Sequence, residues 1–267
     1  MADTSPEAPV ILDATRGGVA VLTLNRPLFH NAMNPEVVED LADKIEELKG
    51  ADGVRCVILE AAGANFSAGD DAEWTRFVAD YTHDDHVNVE KSVARMLLAW
   101  RGLAQPTIVL VHGAAIGIGA GLVAASDIAI ADRSAVFAFP DVRLGVMPAA
   151  VTPFLMEAVG ARAARRYIVT GERFDAAEAL RIGLVHMLVE DRQALAAASE
   201  QLVTALYASA PGAIKAAKEL ITAAESMPFD QHLAGEVARR LAERRASAEA
   251  REGLKALLER RKPDWAE

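Results

Sequence analysis

A chain of 267 residues with 52% hydrophobic residues and 18 glycines has core material for one large α/β domain, alone or with a smaller appendage, which excludes a disordered or fibrous protein. The formal net charge of −10 argues against nucleic acid as a partner, and it requires any anionic ligand to be held by a local basic patch or by backbone N–H groups. No apolar run reaches the roughly 18 residues of a membrane span, MADTSPEAPV has no signal-like block and Cys56 is the only cysteine, so a reducing cytosol is the expected location, with no membrane partner and no internal disulfide.

In chain order, a disordered-looking lead gives way to a strand over Gly18 to Leu24, which ends in Asn25, Arg26 and Pro27. Asn34 followed by Pro35 reads as an N-cap with proline at the first helical position, and Val38, Leu41, Ile45 and Leu48 form the buried stripe of the helix that follows. Val54 to Glu60 is a second strand, with Cys56 as a small core residue. The loop after it, AAGANFSAGDD, combines a core plug, Phe66, with small residues from Ser67 to Asp70 that can bring backbone N–H groups near a ligand.

Ala72 to Gly102 reads as an interrupted helix. Asp80 to His86 is expected to be a mobile surface loop, since His83 and His86 sit beside Asp84 and Asp85 in a solvated-looking turn; no metal is assigned. Val89, Val93, Met96, Leu97 and Trp100 then repeat at helical spacing.

The stretch Thr107 to Gly121, TIVLVHGAAIGIGAG, is the centre of the chain. Ile108 to Val111 suits a strand covered on both faces, as in a parallel sheet. The glycines after it let a ligand, or another piece of backbone, approach closely. A helix over Ala120 to Ala125 leaves free N–H groups near Gly117 to Gly119, suited to a carbonyl oxygen gaining negative charge. Close packing of helix on strand is the alternative reading of the same glycines.

Asp127 to Ala131 and Ala135 to Phe139 are further extended pieces, which gives at least five strands with helices after the first three, an order suited to parallel pairing. From Thr152 onward the pattern is nearly all helical: Asp175 is an N-cap, Gly183 a stop, Leu184 to Val189 extended, and helices are expected at about 192 to 208, 212 to 225, 230 to 243 and 246 to 261. The last part is rich in basic residues, among them Arg239, Arg240, Arg244, Arg245, Arg251, Arg260, Arg261 and Lys262, either solvated or flanking an anionic cofactor. Helices of this kind need partners to cover their apolar stripes.

The order of NRPLFHNAMN, NFSAGDD, VHGAAIGIGAGL, SDIAIA, FAFPDVRLGVMP and TGERFDAAEALRIGLV, followed by LKALLERRKPDW, resembles the crotonase, or enoyl-CoA hydratase/isomerase, superfamily from about residue 17 to the end. The stretch from Gly145 to His186 is most similar to the bacterial methylglutaconyl-CoA hydratase-like branch. The resemblance implies an α/β spiral of ββα units over residues 1–195 and a helical trimerisation region over 196–267, in a homo-trimer or a hexamer. It implies an acyl-CoA or enoyl-CoA thioester substrate, with coenzyme A entering as part of the substrate and no tightly bound cofactor.

The same resemblance places the oxyanion-hole N–H groups on Asp70 and Ile118. It puts Arg26, Pro27, Ala32 and Ala68 against the nucleotide and pantetheine portion, and Asp71, Gly117, Pro140 and Leu144 among the substrate-binding positions. Of the two glutamates that hydratases of the family carry, the first falls on Gly121 and the second on Asp141, so one carboxylate is left as general acid/base. The isomerase glutamate position falls on Ala149. For Asp141 a turn cap or a pair with Arg143 is the alternative role. Asp70 and Asp71 read as loop caps, Asp127 as a structural acceptor and His112 as a core or interface histidine, while Glu73 and Glu157 have no role.

Overall fold

The computed structural model describes residues 8–225, 227–228 and 230–266. Its described residues divide into two compact units: one holds 8–103 and Thr107–Ser199, the other Ala104–Pro106 and the described residues from Glu200 onward. Among the described residues no helix is long and apolar enough to cross a membrane.

In the first unit a six-stranded sheet is built from β1 (Val10–Arg16), β2 (Val19–Leu24), β3 (Cys56–Ala61), β4 (Thr107–Val111), β6 (Ile128–Asp132) and β9 (Met187–Val189), in that spatial order. Every pairing from β2 to β9 is parallel. A second sheet of three strands, β5 (Ala114–Ile116), β7 (Val136–Ala138) and β8 (Phe174–Asp175), lies beside it in sequence. The chain feeds the two sheets alternately: β4, β5 and α4 (Ile118–Ala124) make one turn, and β6, β7 and α5 (Thr152–Thr170) the next. This is the expected α/β spiral of ββα units. Single bridges at Ser67–Ala115 and Met33–Asp70 carry the smaller layer across to the loops after β2 and β3. Those bridges align the loops that form the cleft.

Burial explains the pattern. All five residues of β4 are buried, as a strand covered on both faces must be. α1 (Pro35–Lys49) buries Val37, Val38, Leu41, Ile45 and Leu48, and its cap is the Asn34 side chain, which accepts from Val37 N at 3.0 Å. Phe66 is fully buried, as is Cys56, whose thiol is pushed up to about 11 by burial, an inert core group. Asp127 accepts from Thr107 N at 2.7 Å and from its hydroxyl at 3.0 Å, tying the start of β4 to that of β6.

Three expectations need correction. The lead is not irregular from its described start: β1 pairs antiparallel with β2. It is an edge strand in which Val10 is buried and Ile11 exposed, so it carries little of the continuous apolar signal of the central strands. The glycine-rich stretch does not pass straight into a helix, because β5 intervenes. Asp80 to His86 is not a loop throughout: α2 (Ala72–Val78) ends before it, and α3 (His83–Arg101) starts within it, with Thr82 and Asp85 in a reciprocal capping box.

The second unit is helical, with the end of α7 (Arg192–Tyr207), α8 (Pro211–Glu225), α9 (Gln231–Arg245) and α10 (Ala248–Glu259). Several of its arginines are held by neighbouring acids: Arg239 by Glu236 and Glu243, Arg240 by Glu236, Arg244 by Glu249, and Arg261 by Glu252 and Glu259. Leu241, Leu254, Leu257 and Leu258 are exposed on it.

Candidate active site

Three segments of the first unit meet around a cleft of about 400 Å³. One is the loop Ala68 to Asp70, the second the β5–α4 junction from Ile116 to Ile118, and the third the run from Pro140 to Val151. Trp74, Thr75, Glu90 and Val93, from α2 and α3, close the remaining wall.

The first two segments touch at glycines. Gly117 has φ +53°, and a Cβ there would lie 3.9 Å from the Gly69 Cα. Gly69 has φ +91°, and a Cβ there would press on the Ile116 side chain at 3.3 Å. The positive φ would strain a side chain at either position, and one at Gly69 would also crowd Ile116. The loops are also pinned: Gly69 O accepts from Met33 N at 2.7 Å, Met33 O from Asp71 N at 2.8 Å, and Ala138 O from Gly117 N at 3.0 Å. Those bonds consume the amide that follows Asp70 and the amide that precedes Ile118. The Asp70 N–H and the Ile118 N–H donate to no acceptor among the described residues, and both residues line the cleft. Because α4 has only seven residues, the two individual amides matter here more than any helix dipole.

Asp141 sits in the 3-10 turn Pro140–Leu144 that follows β7. The turn hangs on an aromatic group, Phe137 stacked on Phe174 at 5.6 Å and Phe174 against Tyr167 at 4.1 Å, which locks β7, β8 and α5 together. Asp141 Oδ2 is buried with no hydrogen-bond partner. Burial raises its carboxyl above the ordinary range, partly offset by its own backbone N–H. No pair with Arg143 is formed; that side chain lies beside Gly171. The Asp70 carboxyl is pushed up to about 6, first by desolvation in the cleft wall, then by the negative charge of Asp141 and of Glu90. No amide of a described residue donates to the Asp70 carboxylate, so it caps no loop, in contrast to Asp71.

Asp71 is the cap. Its Oδ1 accepts from Glu73 N at 2.9 Å, and its Oδ2 receives Arg26 Nη1 at 3.0 Å. Burial alone would raise this carboxyl, but the Glu73 amide, Arg26 and the Trp74 amide together hold it below the usual range. Arg26 also donates to Ala32 O at 2.8 Å and stacks on Phe29 at 4.6 Å. Its guanidinium is thus spent inside the fold. Arg26, Pro27, Ala32 and Asp71 lie off the cleft lining, whereas Ala68, Asp70, Gly117, Ile118, Pro140, Asp141 and Leu144 are on it.

Gly121 is buried behind the cleft. A Cβ there would meet Val151 Cγ1 at 2.4 Å, so the position has no room for a longer side chain as packed. His112 is structural: it is buried, its Nε2 lies 3.0 Å from Gly63 O, and burial lowers its pKa. Glu157 pairs with Arg101, and His83 is exposed at the start of α3. The residue that sequence reading missed is Glu90, whose Oε1 accepts from Ala150 N at 2.5 Å. A signal existed, since Glu90 precedes Val93 by three positions and so shares a helix face with the buried stripe. Among the described lining residues there are three carboxylates and no lysine, arginine or histidine.

The enoyl-CoA hydratase/isomerase family model matches residues 14–267 of the chain. The 1,2-epoxyphenylacetyl-CoA isomerase of Escherichia coli is 33% identical over 258 residues, covering 96% of this chain and 97% of that protein. The short-chain-enoyl-CoA hydratase of Clostridium acetobutylicum is 32% identical over 255 residues, covering 95% of each. The crystal structure of an enoyl-CoA hydratase from Shewanella pealeana superposes with a TM-score of 0.93 at 36% identity, covering 96% of both chains.

Proposed function

The chain belongs to the enoyl-CoA hydratase/isomerase family of the crotonase superfamily, and from that premise we propose that it is a hydro-lyase adding water reversibly to the double bond of a 2-enoyl coenzyme A thioester. The observation that carries this reading is the pair of unengaged amides, Asp70 N–H and Ile118 N–H, lining the same cleft as Asp141, whose carboxylate keeps a buried, unpartnered oxygen. Two such donors aimed at a thioester oxygen stabilise the enolate formed when water adds at C3, and loss of one typically costs roughly 3 kcal/mol of barrier. In this reading Asp141 handles the proton. Coenzyme A enters as part of the substrate, and no tightly bound cofactor takes part.

The make-up of the wall favours an uncharged acyl group, because a terminal carboxylate, as in a methylglutaconyl thioester, would face Asp70, Glu90 and Asp141 with no cation in the lining. Double-bond migration is the less favoured reaction, since Ala149, where the resemblance places the isomerase carboxylate, has no group to move a proton. The domain roles follow the family resemblance, with the ββα spiral binding and processing the thioester. The exposed leucines of the helical unit support assembly of that unit with further copies into a trimer or hexamer, which sedimentation velocity would measure.

The deciding experiment follows the absorbance of crotonyl-CoA with the wild-type chain and with Asp141→Ala. Hydration by the wild type, reduced about 10²- to 10⁴-fold by the substitution, is the expected outcome for loss of a general acid/base. Unchanged turnover in the variant removes Asp141 from the role. Thioester binding without turnover by the wild type favours a binding protein, and product with a shifted double bond favours an isomerase.

A further inference from the structure

Adding H and OH across a carbon–carbon double bond needs one group to take a proton from water and a source of the proton that reaches carbon. Asp141 alone must otherwise do both on opposite sides of the reacting bond. The alternation of the backbone between Asp70 and Asp71 separates two adjacent carboxylates with different fates. Asp71 turns inward to cap α2 and bind Arg26, while Asp70 lines the cleft, where no hydrogen bond from a described residue reaches its carboxyl. Its main chain cannot drift, because the bridge to Met33 holds it on both sides. Asp141, in the same cleft lining, keeps a buried oxygen with no hydrogen-bond partner.

We propose that the Asp70 side chain is a second catalytic carboxylate, delivering a proton to C2 while its own backbone N–H holds the thioester oxygen and Asp141 activates water. The assignment rests on the hydratase reading and deepens it. The ionised Asp141 takes a proton from water as the water oxygen bonds to C3. The π pair of the C2–C3 bond moves toward the thioester oxygen, giving an enolate between the Asp70 and Ile118 amides. The enolate then collapses, its C2 electron pair taking the proton of the Asp70 carboxyl. One water has been added, Asp141 is left protonated and Asp70 ionised, and a proton returned from Asp141 to Asp70 resets the pair. Desolvation and the negative charges facing Asp70, Asp141 from the 3-10 turn and Glu90 from α3, raise its carboxyl above that of an ordinary aspartic acid.

The test uses the full-length chain with Asp70→Asn and Asp70→Ala, both of which retain the backbone amide. Crotonyl-CoA hydration is measured alongside binding of butyryl-CoA, a saturated thioester that cannot react. The expected result is a fall in kcat of about 100-fold or more in both variants, with butyryl-CoA binding within about twofold of the wild type and partial recovery of kcat in Asp70→Glu. A purely structural role would weaken binding and melting temperature together and would not be rescued by glutamate. Either folded variant turning over within about threefold of the wild type overturns the proposal. A wild type that binds butyryl-CoA yet hydrates no 2-enoyl thioester overturns the underlying hydratase reading, and this proposal with it, before any variant is made.

Discussion

Arg26 with Asp71, in the sheet-bearing unit, and Arg261 with Glu252, in the helical unit, are the same chemistry in two settings. The exposed pair is the better formed by geometry: Arg261 reaches both Glu252 oxygens, at 2.6 and 2.8 Å, and holds that carboxyl down to about 2. Arg26 makes one bond to Asp71, at 3.0 Å. Yet the Arg261 pair is the more exposed of the two, at 34% and 19%, and pairs that solvent reaches add little to stability however short. The Arg26 pair is 18% and 8% exposed, and it closes a network in which Asp71 caps α2 and Arg26 ties down Ala32. The lesson is that burial and shared partners, not bond length, decide which charges organise the cleft.

The hardest way to break the contrast is through the backbone. Gly113 has φ +58°, and a Cβ there would sit 2.3 Å from Ala64 O, a backbone atom that cannot swing aside. Gly113→Ala should destabilise the protein by about 3 kcal/mol or more, from left-handed strain plus overpacking. Urea unfolding would show it as a lower midpoint. A midpoint equal to the wild type's would mean that these loops yield more readily than their packing indicates.

Next in size is Arg26→Met, which leaves the nearly buried Asp71 carboxylate without its cation, at a cost of about 3 kcal/mol near neutral pH. The sign of its pH dependence follows from the Asp71 carboxyl, which is held low in the folded state. A depressed carboxyl contributes stability above its unfolded pKa, roughly 4, and loses it as pH falls through the lower folded value. The stability gap between wild type and Arg26→Met should therefore narrow as pH drops below about 4. A gap that widens in acid would contradict the assignment.

Smallest is Arg261→Ala, for which no measurable change in unfolding midpoint is expected at moderate salt. A clear drop would show that the ion-pair network of the second unit acts as a block and would erase the distinction between the two regions.

Much of the candidate cleft is legible in the sequence. Asp141, Asp70, Ile118, Gly117, Ala68, Pro140 and Leu144 were singled out from ordered motifs and do line one cleft. The N-caps Asn34 and Asp175 were equally readable, since a short polar side chain before a helical stripe states its own job. What could not be read was direction. Neighbouring residues Asp70 and Asp71 look alike on paper, and only the Met33 bridge decides which faces the cleft and which caps α2. Glu90 was hidden for a similar reason: its role depends on Ala150, sixty positions away.

The sequence by itself determined the local choices: periodicities of helix and strand, caps, the glycine positions, and the order of motifs that identifies the family. These depend on each residue and its near neighbours, where sterics and hydrogen-bonding capacity act over a few bonds. Tertiary structure alone decided which amides remain unengaged, that Val151 fills the space at Gly121, and that three carboxylates line one cleft. Those outcomes arise from close packing between segments far apart in the chain, and packing of that kind is a property of the assembled fold rather than of any stretch within it.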